Sequence, residues 1–283
     1  MSIAVKKELA ERLENAEIDA LSSRLTEIQK IDRNPMSVEI KKFGNATAFS
    51  VKNIPGPSFN TVKGLNAGDE KHIEKIIDFY KQKEIPVRFE LTPAHTSSEL
   101  LTCLSEAGYY HNDFHTTLYT QLSRELVTIN KLNEQKLTIR KLKRQEFGTF
   151  AEIYIKGFQM PPFLKDGIAQ NNEILYDSEN WTFYLASYEN EPAGIGVLFV
   201  NDRIATLAAA ATIPSLRNKG IHAALIEHRI LQANQLECDL IVGQAKFGSV
   251  SQNNMERAGL SIAYTKAIWN KKKVLIQQTG ARV

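Results

Sequence analysis

Cysteine is almost absent from this chain: Cys103 and Cys238 are its only two among 283 residues. Two thiols make neither a disulfide framework nor a four-ligand zinc site, and no metal is expected. Each lies among apolar neighbours and reads as a small buried hydrophobe. Long apolar runs are also missing, since nothing approaches the roughly 20 residues that span a bilayer. The first residues, MSIAVKKELAERLENAEIDALSSR, are charged throughout and have no signal-peptide core. These absences predict a cytoplasmic protein with no membrane partner. Charge of one sign is lacking too. Lys and Arg number 35 against 32 Asp and Glu, a net +3 that is too even to imply nucleic-acid binding. The basic runs RKLKR (140–144) and NKKK (270–273) flank strands or sit near the end, as a solvated surface does.

What is present suits a sizeable core. Hydrophobic residues make up 43%, and the length fits one large or two ordinary domains. Residues 4–30 carry apolar positions at helical spacing: Leu9, Leu13, Ile18, Leu21, Leu25 and Ile28. MSVEIKKF and NATAFSVKN alternate as a hairpin would, with Gly44-Asn45 at the bend. A loop-like stretch with a short strand near 59–62 follows. Then come a helix (HIEKIIDFYKQKE), a strand (VRFEL), a helix ending at Gly108 and a strand (DFHTTLYTQL). The polar SRELVTINKLNEQK fits a linker.

The second half opens with a strand, LTIRKL, and a helix, QEFGTFAEIYIKGF. After the loop QMPPFLKDG and the helix IAQNNEILYDS, it repeats the element order of the first half: hairpin, third strand, helix, strand, helix, strand. The repeat is one of order only, without residue-level similarity.

The most informative segment is 203–234. RIATLAAAATIP reads as a buried strand, SLRNKG as a turn rich in donors, and IHAALIEHRILQAN as a helix with a basic entry. A helix start exposes unpaired N–H groups and a partial positive charge, so this turn can hold an anion. The thin strand end Ala208–Ala211 leaves room for a ligand, and Pro214 ends strand pairing before the turn.

Arg217-Asn218-Lys219-Gly220-Ile221-His222 resembles the acyl-CoA pyrophosphate loop of the GNAT N-acetyltransferases, R/Q-x-x-G-x-G/A. Arg217 and Gly220 match; His222 stands where that family has Gly or Ala. The downstream block FGSVSQNNMERAGLSIAYTKAIW, with Asn254 before Gly259-Leu260, is similar to the family's late helix and last strands. The resemblance covers residues 137–270. It implies an α/β (α+β) fold with a mixed, mostly antiparallel sheet flanked by helices, in two fused modules. These would be a degenerate one at 1–122, a linker at 123–136 and the acyl-CoA-binding one at 137–283. The first module lacks any R-x-x-G, and its equivalent helix entry carries Asp69 and Glu70, which repel a pyrophosphate.

The resemblance further implies acetyl-CoA as cosubstrate and a small-molecule or amino-acid-like primary amine as acceptor; a homodimer stays open. It assigns Ala211, Thr212, Ile213, Arg217, Asn218, Lys219, Gly220, Ile221, His222, Ala223 and Asn254 to the cofactor. It also implies a Glu base on the fourth strand and a Tyr acid four residues before the late Gly. Neither is present, because residues 204–213 hold no carboxylate and Met255 occupies the Tyr position. Tyr264 and His222 are the remaining catalytic candidates, with strand-core and packing roles as their alternatives. Phe158, Met160 and Phe163 in GFQMPPF would line the acceptor site, facing Phe59-Asn60. No acidic cluster marks a polyamine or aminoglycoside pocket. A non-catalytic acyl-CoA-binding module is the alternative that the missing acid and base favour.

Overall fold

The computed structural model describes residues 5–54, 56–122 and 136–271. The first half contains α1 (Lys7–Gln29), β1 (Val38–Phe43), β2 (Ala46–Val51), β3 (Thr61–Lys63), α2 (Ile73–Lys81), β4 (Arg88–Leu91), α3 (Ser98–Glu106) and β5 (Tyr109–Gln121). The second contains β6 (Leu137–Lys141), α4 (Phe147–Phe158), α5 (Lys165–Glu173), β7 (Trp181–Tyr188), β8 (Glu191–Asn201), β9 (Ile204–Thr212), α6 (Ile221–Gln235), β10 (Leu240–Lys246), α7 (Val250–Arg257) and β11 (Ser261–Lys271). The expected linker at 123–136 lies outside the described residues except for Lys136, and the run at 270–273 lies outside them beyond Lys271.

The eleven strands of the described residues form one sheet, in the order β1-β2-β3-β4-β11-β5-β10-β9-β8-β7-β6. Its pairings are antiparallel except for β3–β4 and β9–β10. The mixed, mostly antiparallel fold class therefore holds, and the element order after the first helices repeats as read from the sequence. The order in space is not simple. β11, from the second half, lies beside β4, while β5, from the first half, lies beside β10. The two long strands also pair with each other from Ser261↔Tyr119 to Lys271↔Tyr109. Each half thus receives its last strand from the other, and no inner sheet edge is left open. The pairing to Lys271 also draws β5 back to Tyr109, four residues before the strand expected from DFHTTLYTQL. α5 begins at Lys165, earlier than expected, because the prolines of the preceding loop start a 3-10 turn (Pro162–Leu164) that leads into it.

Helix α1 spans both halves. Leu13 and Ala16 pack on Tyr119, Ile204, Leu240 and Val242, whereas Ile18, Leu25 and Ile28 pack on Val38, Phe49 and Val51. Each fully buried aliphatic here contributes about 1.5–3 kcal/mol. Polar bonds reach the second half as well: Trp181 Nε1 donates to Ser23 Oγ at 3.0 Å, and Arg24 Nη1 donates to Asn172 Oδ1 at 2.8 Å. The helix is therefore held over the centre of the sheet, where it walls the cavity described next.

Candidate active site at the splayed strands

β9 and β10 pair in parallel only from Ile204↔Leu240 to Leu207↔Gly243. Beyond that point β9 stays with β8 and β10 stays with β5, so the sheet opens into a wedge. The cause is local. Val197 faces Ala209 and Leu198 faces Leu207, which leaves Ala208 as the extra residue of a bulge. The buried Arg229 clamps that bulge. Its Nη1 donates to the Val197 carbonyl at 3.1 Å and the Ala209 carbonyl at 3.0 Å, and its Nε donates to Leu225 O at 2.9 Å. Burial lowers its pKa to about 10, so it stays charged at neutral pH. Gly196 makes room for it, since a Cβ there would lie 3.2 Å from Arg229 Nε.

At the wide end of the wedge, a 3-10 turn (Pro214–Leu216) leads into the basic loop. Asn218 (φ 63) and Gly220 (φ 79) are left-handed, a conformation that Asn tolerates and Gly adopts freely. The first backbone bond of α6 is Ala224 N–H to Gly220 O, at 2.9 Å. Among the described residues, the N–H groups of residues 218–223 meet no backbone acceptor. Arg217 through Gly220 are exposed. Loop and helix end thus present a row of free donors with positive charge beside them, which is what a phosphate needs. Arg217 has a second role: its Nη2 donates to Gly157 O at 2.7 Å, tying the last turn of α4 to the loop. α4 comes so close here that a Cβ on Gly157 would sit 2.7 Å from Ala211 Cβ.

His222, one residue into α6, turns inward. Asn254 on α7 places Nδ2 2.9 Å from His222 Nδ1, and Arg257 Nη1 donates to Asn254 Oδ1 at 3.0 Å. An amide nitrogen only donates, so Nδ1 accepts and the ring proton sits on Nε2. Burial, with the Arg229 cation second, lowers the His222 pKa to about 4. It is a neutral N–H donor on the cavity wall.

The wedge opens into a cavity of about 590 Å³ between the two halves. One side is Thr206–Ala210, His222, Ile226, Arg229 and Met255; another is Tyr154, Phe158, Met160 and Phe59. The far wall is charged. Lys63 Nζ bonds Glu17 Oε1 at 2.7 Å and also Glu90; Lys266 Nζ bonds Glu17 Oε2 at 2.6 Å and Glu90 Oε2 at 2.8 Å; Arg88 bonds Glu90. Thr61 Oγ1 adds a bond to Glu90 Oε1 at 3.2 Å. Against the cost of burial, the two lysines and Arg88 hold the Glu90 carboxyl well below the usual range; the lysines lower Glu17 as well. His115, from the exchanged strand β5, lines the same wall, and burial lowers its pKa, so it stands as a neutral base.

The residues singled out from sequence fall into distinct places. Arg217–Gly220 form the exposed loop, and Ile221 and Ala223 lie in the first turn of α6. Ala211 is buried against α4, with Thr212 and Ile213 half-buried beside it, so the strand backbone facing the cavity is that of Ala208–Ala210. Phe158 and Met160 line the cavity, whereas Phe163 is 81% exposed and does not. Phe59 faces the cavity; Asn60 instead donates to Val51 O and accepts from Val51 N–H. Tyr264 is not on the cavity wall. It packs toward α1 with Leu13 and Tyr119, and burial pushes its phenol far up. Sequence reading missed Glu17, Arg24, Lys63, Arg88, Glu90, His115 and Arg229. A faint signal existed in VRFEL, where Arg88 and Glu90 share the face opposite Val87, Phe89 and Leu91.

The equivalent place in the first half is filled by the chain itself. β3 and β4 pair in parallel only at Thr61↔Arg88 and Val62↔Phe89. Beyond them, Glu14 of α1 reaches in; its Oε1 accepts from Gly64 N–H at 3.2 Å and from Thr92 Oγ1 at 2.8 Å. Burial raises its pKa. The buried Asp69 accepts from Asn66 N–H at 3.0 Å and Asn45 N–H at 3.3 Å. Two carboxylates thus stand where an anion would need donors.

No family model matches the chain, and no curated protein matches its sequence. Solved structures do match. A GCN5-related N-acetyltransferase from Kribbella flavida is 13% identical, covers 96% of this chain and 97% of its own, and has a TM-score of 0.61. One from Sphaerobacter thermophilus is 11% identical, with 95% and 94% covered and a TM-score of 0.60. A tandem GNAT protein from the clavulanic acid biosynthesis pathway is 10% identical, with 95% and 96% covered and a TM-score of 0.57. At such identities the likeness is one of architecture, and it runs the length of both chains: this protein is built on the two-module fold of the GCN5-related N-acetyltransferases.

Proposed function

We propose that the protein is an N-acetyltransferase that moves an acetyl group from acetyl-CoA to the primary amine of a small acceptor. It would have a single acyl-CoA site, in residues 137–283, and an empty first module in 1–122. The observation that carries this reading is the wedge: free N–H donors and Arg217 at its mouth lead past an exposed strand bulge into the cavity. The loop N–H groups would take the pyrophosphate, with Arg217 and Lys219 supplying charge. The strand backbone at Ala208–Ala210 would align the thioester arm, and the donor-poor first half explains why one site is proposed and not two.

In the transfer, the amine nitrogen attacks the thioester carbon, the C–N bond forms, the C–S bond breaks with its electron pair left on the CoA sulfur, and the proton lost by the amine passes to a base while the thiolate gains one in its place. Glu17 and Glu90 are poor bases because their charge is held in ion pairs. His115 is the better candidate, being neutral and on the cavity wall. The neutral His222 Nε2–H would donate a hydrogen bond to charge developing on the thioester, a role that needs no protonated imidazole. Positioning supplies much of the remaining acceleration. A second reading, acyl-CoA binding without turnover, draws on one observation: the cavity's two carboxylates are both locked in ion pairs, and no tyrosine stands where the resemblance implies an acid.

Thiol release from acetyl-CoA in the presence of a mixed amine set separates the two. Release above the amine-free rate, lost in His115→Ala, supports the transferase. Tight binding with no release across the set supports the second reading.

A further inference from the structure

The cavity holds more positive charge than it neutralises. Four cations line it, Arg24, Lys63, Arg88 and Arg229, against two carboxylates, Glu17 and Glu90. Lys266 behind the wall adds a fifth cation to the same carboxylates. Among the described residues, no other acid pairs with the excess. Arg24 rests on the Asn172 amide and 4.7 Å above the Trp181 ring. Arg229 rests on three backbone carbonyls. Both histidines on the wall, His115 and His222, are held neutral by burial and add nothing to either side.

A separate observation points the same way. Among the described residues, the cavity-lining ones with buried polar atoms that lack a partner are Arg88 (Nε), Gln244 (Nε2) and Thr206 (Oγ1). Each can donate, and the first two can only donate. Thr206 is 2% exposed, so its hydroxyl has little recourse to bulk water. Buried cations without anions are costly, an anionic ligand relieves that cost, and unpaired donors behind the wall add to its positive field.

We propose that the cavity binds an acceptor carrying an anionic group, a carboxylate or its like, in addition to its amine, with Arg24 and Arg88 as the residues that select it. This deepens the acetyltransferase reading, on which the amine part rests. The anion site itself rests only on the charge and donor count. The aromatic and thioether side chains of Phe59, Tyr154, Phe158 and Met160 supply an apolar wall for the body of such a molecule. The excess charge also argues against a polyamine, which would enter a field of its own sign.

The test is calorimetric titration of the full-length chain with benzoate and, separately, with benzylamine, at constant ionic strength. The two probes share a ring and differ in the sign of their charge. Benzoate is expected to bind saturably, at least about tenfold more tightly than benzylamine, a margin of about 1.4 kcal/mol. Arg24→Met and Arg88→Met should each weaken benzoate by about tenfold or more, and Arg24→Lys should recover part of the loss. Arg24→Met is the safer variant, because its partners are neutral and no buried carboxylate is orphaned. Absence of saturable benzoate binding at millimolar concentrations, equal binding of the two probes, or unchanged benzoate affinity in both methionine variants overturns the proposal. Acetyl-CoA is titrated into a parallel sample. Failure there, with benzoate binding intact, would overturn the acetyl-CoA reading and leave the anion site standing.

Discussion

His222 offers the sharpest quantitative prediction. It is largely buried and the Arg229 cation lies nearby, and these lower its pKa from 6.5 to about 4; its Nδ1 also accepts from Asn254. A shift of that size corresponds to about 3 kcal/mol against the charged form. The direction of linkage follows. The unfolded chain binds this proton below pH 6.5 and the folded chain resists it until about pH 4, so stability falls as pH drops through that window. From pH 7 to pH 5.5 the loss attributable to His222 is roughly 1 kcal/mol. His222→Gln removes the titration, so the unfolding free energy of wild type minus that of the variant, from urea unfolding, should fall by that amount from pH 7 to pH 5.5. Asn254→Asp sets a carboxylate in place of the amide donor and should raise the imidazole pKa by at least one unit. Proton NMR of the ring Cε1–H reads both. An imidazole titrating near 6.5 in the wild type, or unmoved by Asn254→Asp, would refute the burial and the hydrogen-bond assignment on which the neutral-donor role depends.

Three further outcomes are expected. Arg217→Glu should weaken acetyl-CoA binding by at least about tenfold by placing negative charge beside the pyrophosphate, whereas Arg217→Gln, which can still donate to Gly157 O, should lose less; equal affinities in calorimetry would remove the loop from the site. Glu90→Gln leaves Lys63 and Lys266 with Glu17 and, among the described residues, Arg88 with no acidic partner, and should cost about 3–5 kcal/mol in urea unfolding, a loss that added salt does not mimic; a change below about 1 kcal/mol would contradict the buried cluster. Asp69→Ala should cost about 1–3 kcal/mol of stability through its lost backbone partners while leaving acetyl-CoA affinity unchanged, and a gain of a second binding event would show that the first half is not empty by construction.

The parts of this protein legible in the sequence were the local ones. The loop 217–220 and its helix entry are contiguous, so spacing alone put Arg217, Gly220 and His222 at one helix end. Period-2 and helical patterns likewise gave the element order. The exchange of β5 and β11 left no such trace, because each strand keeps the same inward and outward faces beside either neighbour. That exchange, with α1 laid across both halves, is what assembles the charged wall. Arg88 and Glu90 alternate with buried Phe89 and so read as the solvent face of an ordinary strand. Only Lys63 from β3, Lys266 from β11 and Glu17 from α1 turn that face into a buried cluster. His115 was hidden for the same reason: its strand belongs to one half in sequence and abuts the other in space. Tyr264, at a plausible spacing in sequence, packs under the first half of α1 with Leu13 and Tyr119, as its strand-core alternative had it, and does not line the cavity.

The central claim, one acyl-CoA site in the second half of the chain, is tested most directly by calorimetric titration of the full-length protein with acetyl-CoA. One molecule bound per chain, with affinity lost in Arg217→Glu and kept in Asp69→Ala, is the outcome the splayed strands and the filled first half require. Absence of binding, or two equivalent sites per chain, would contradict it.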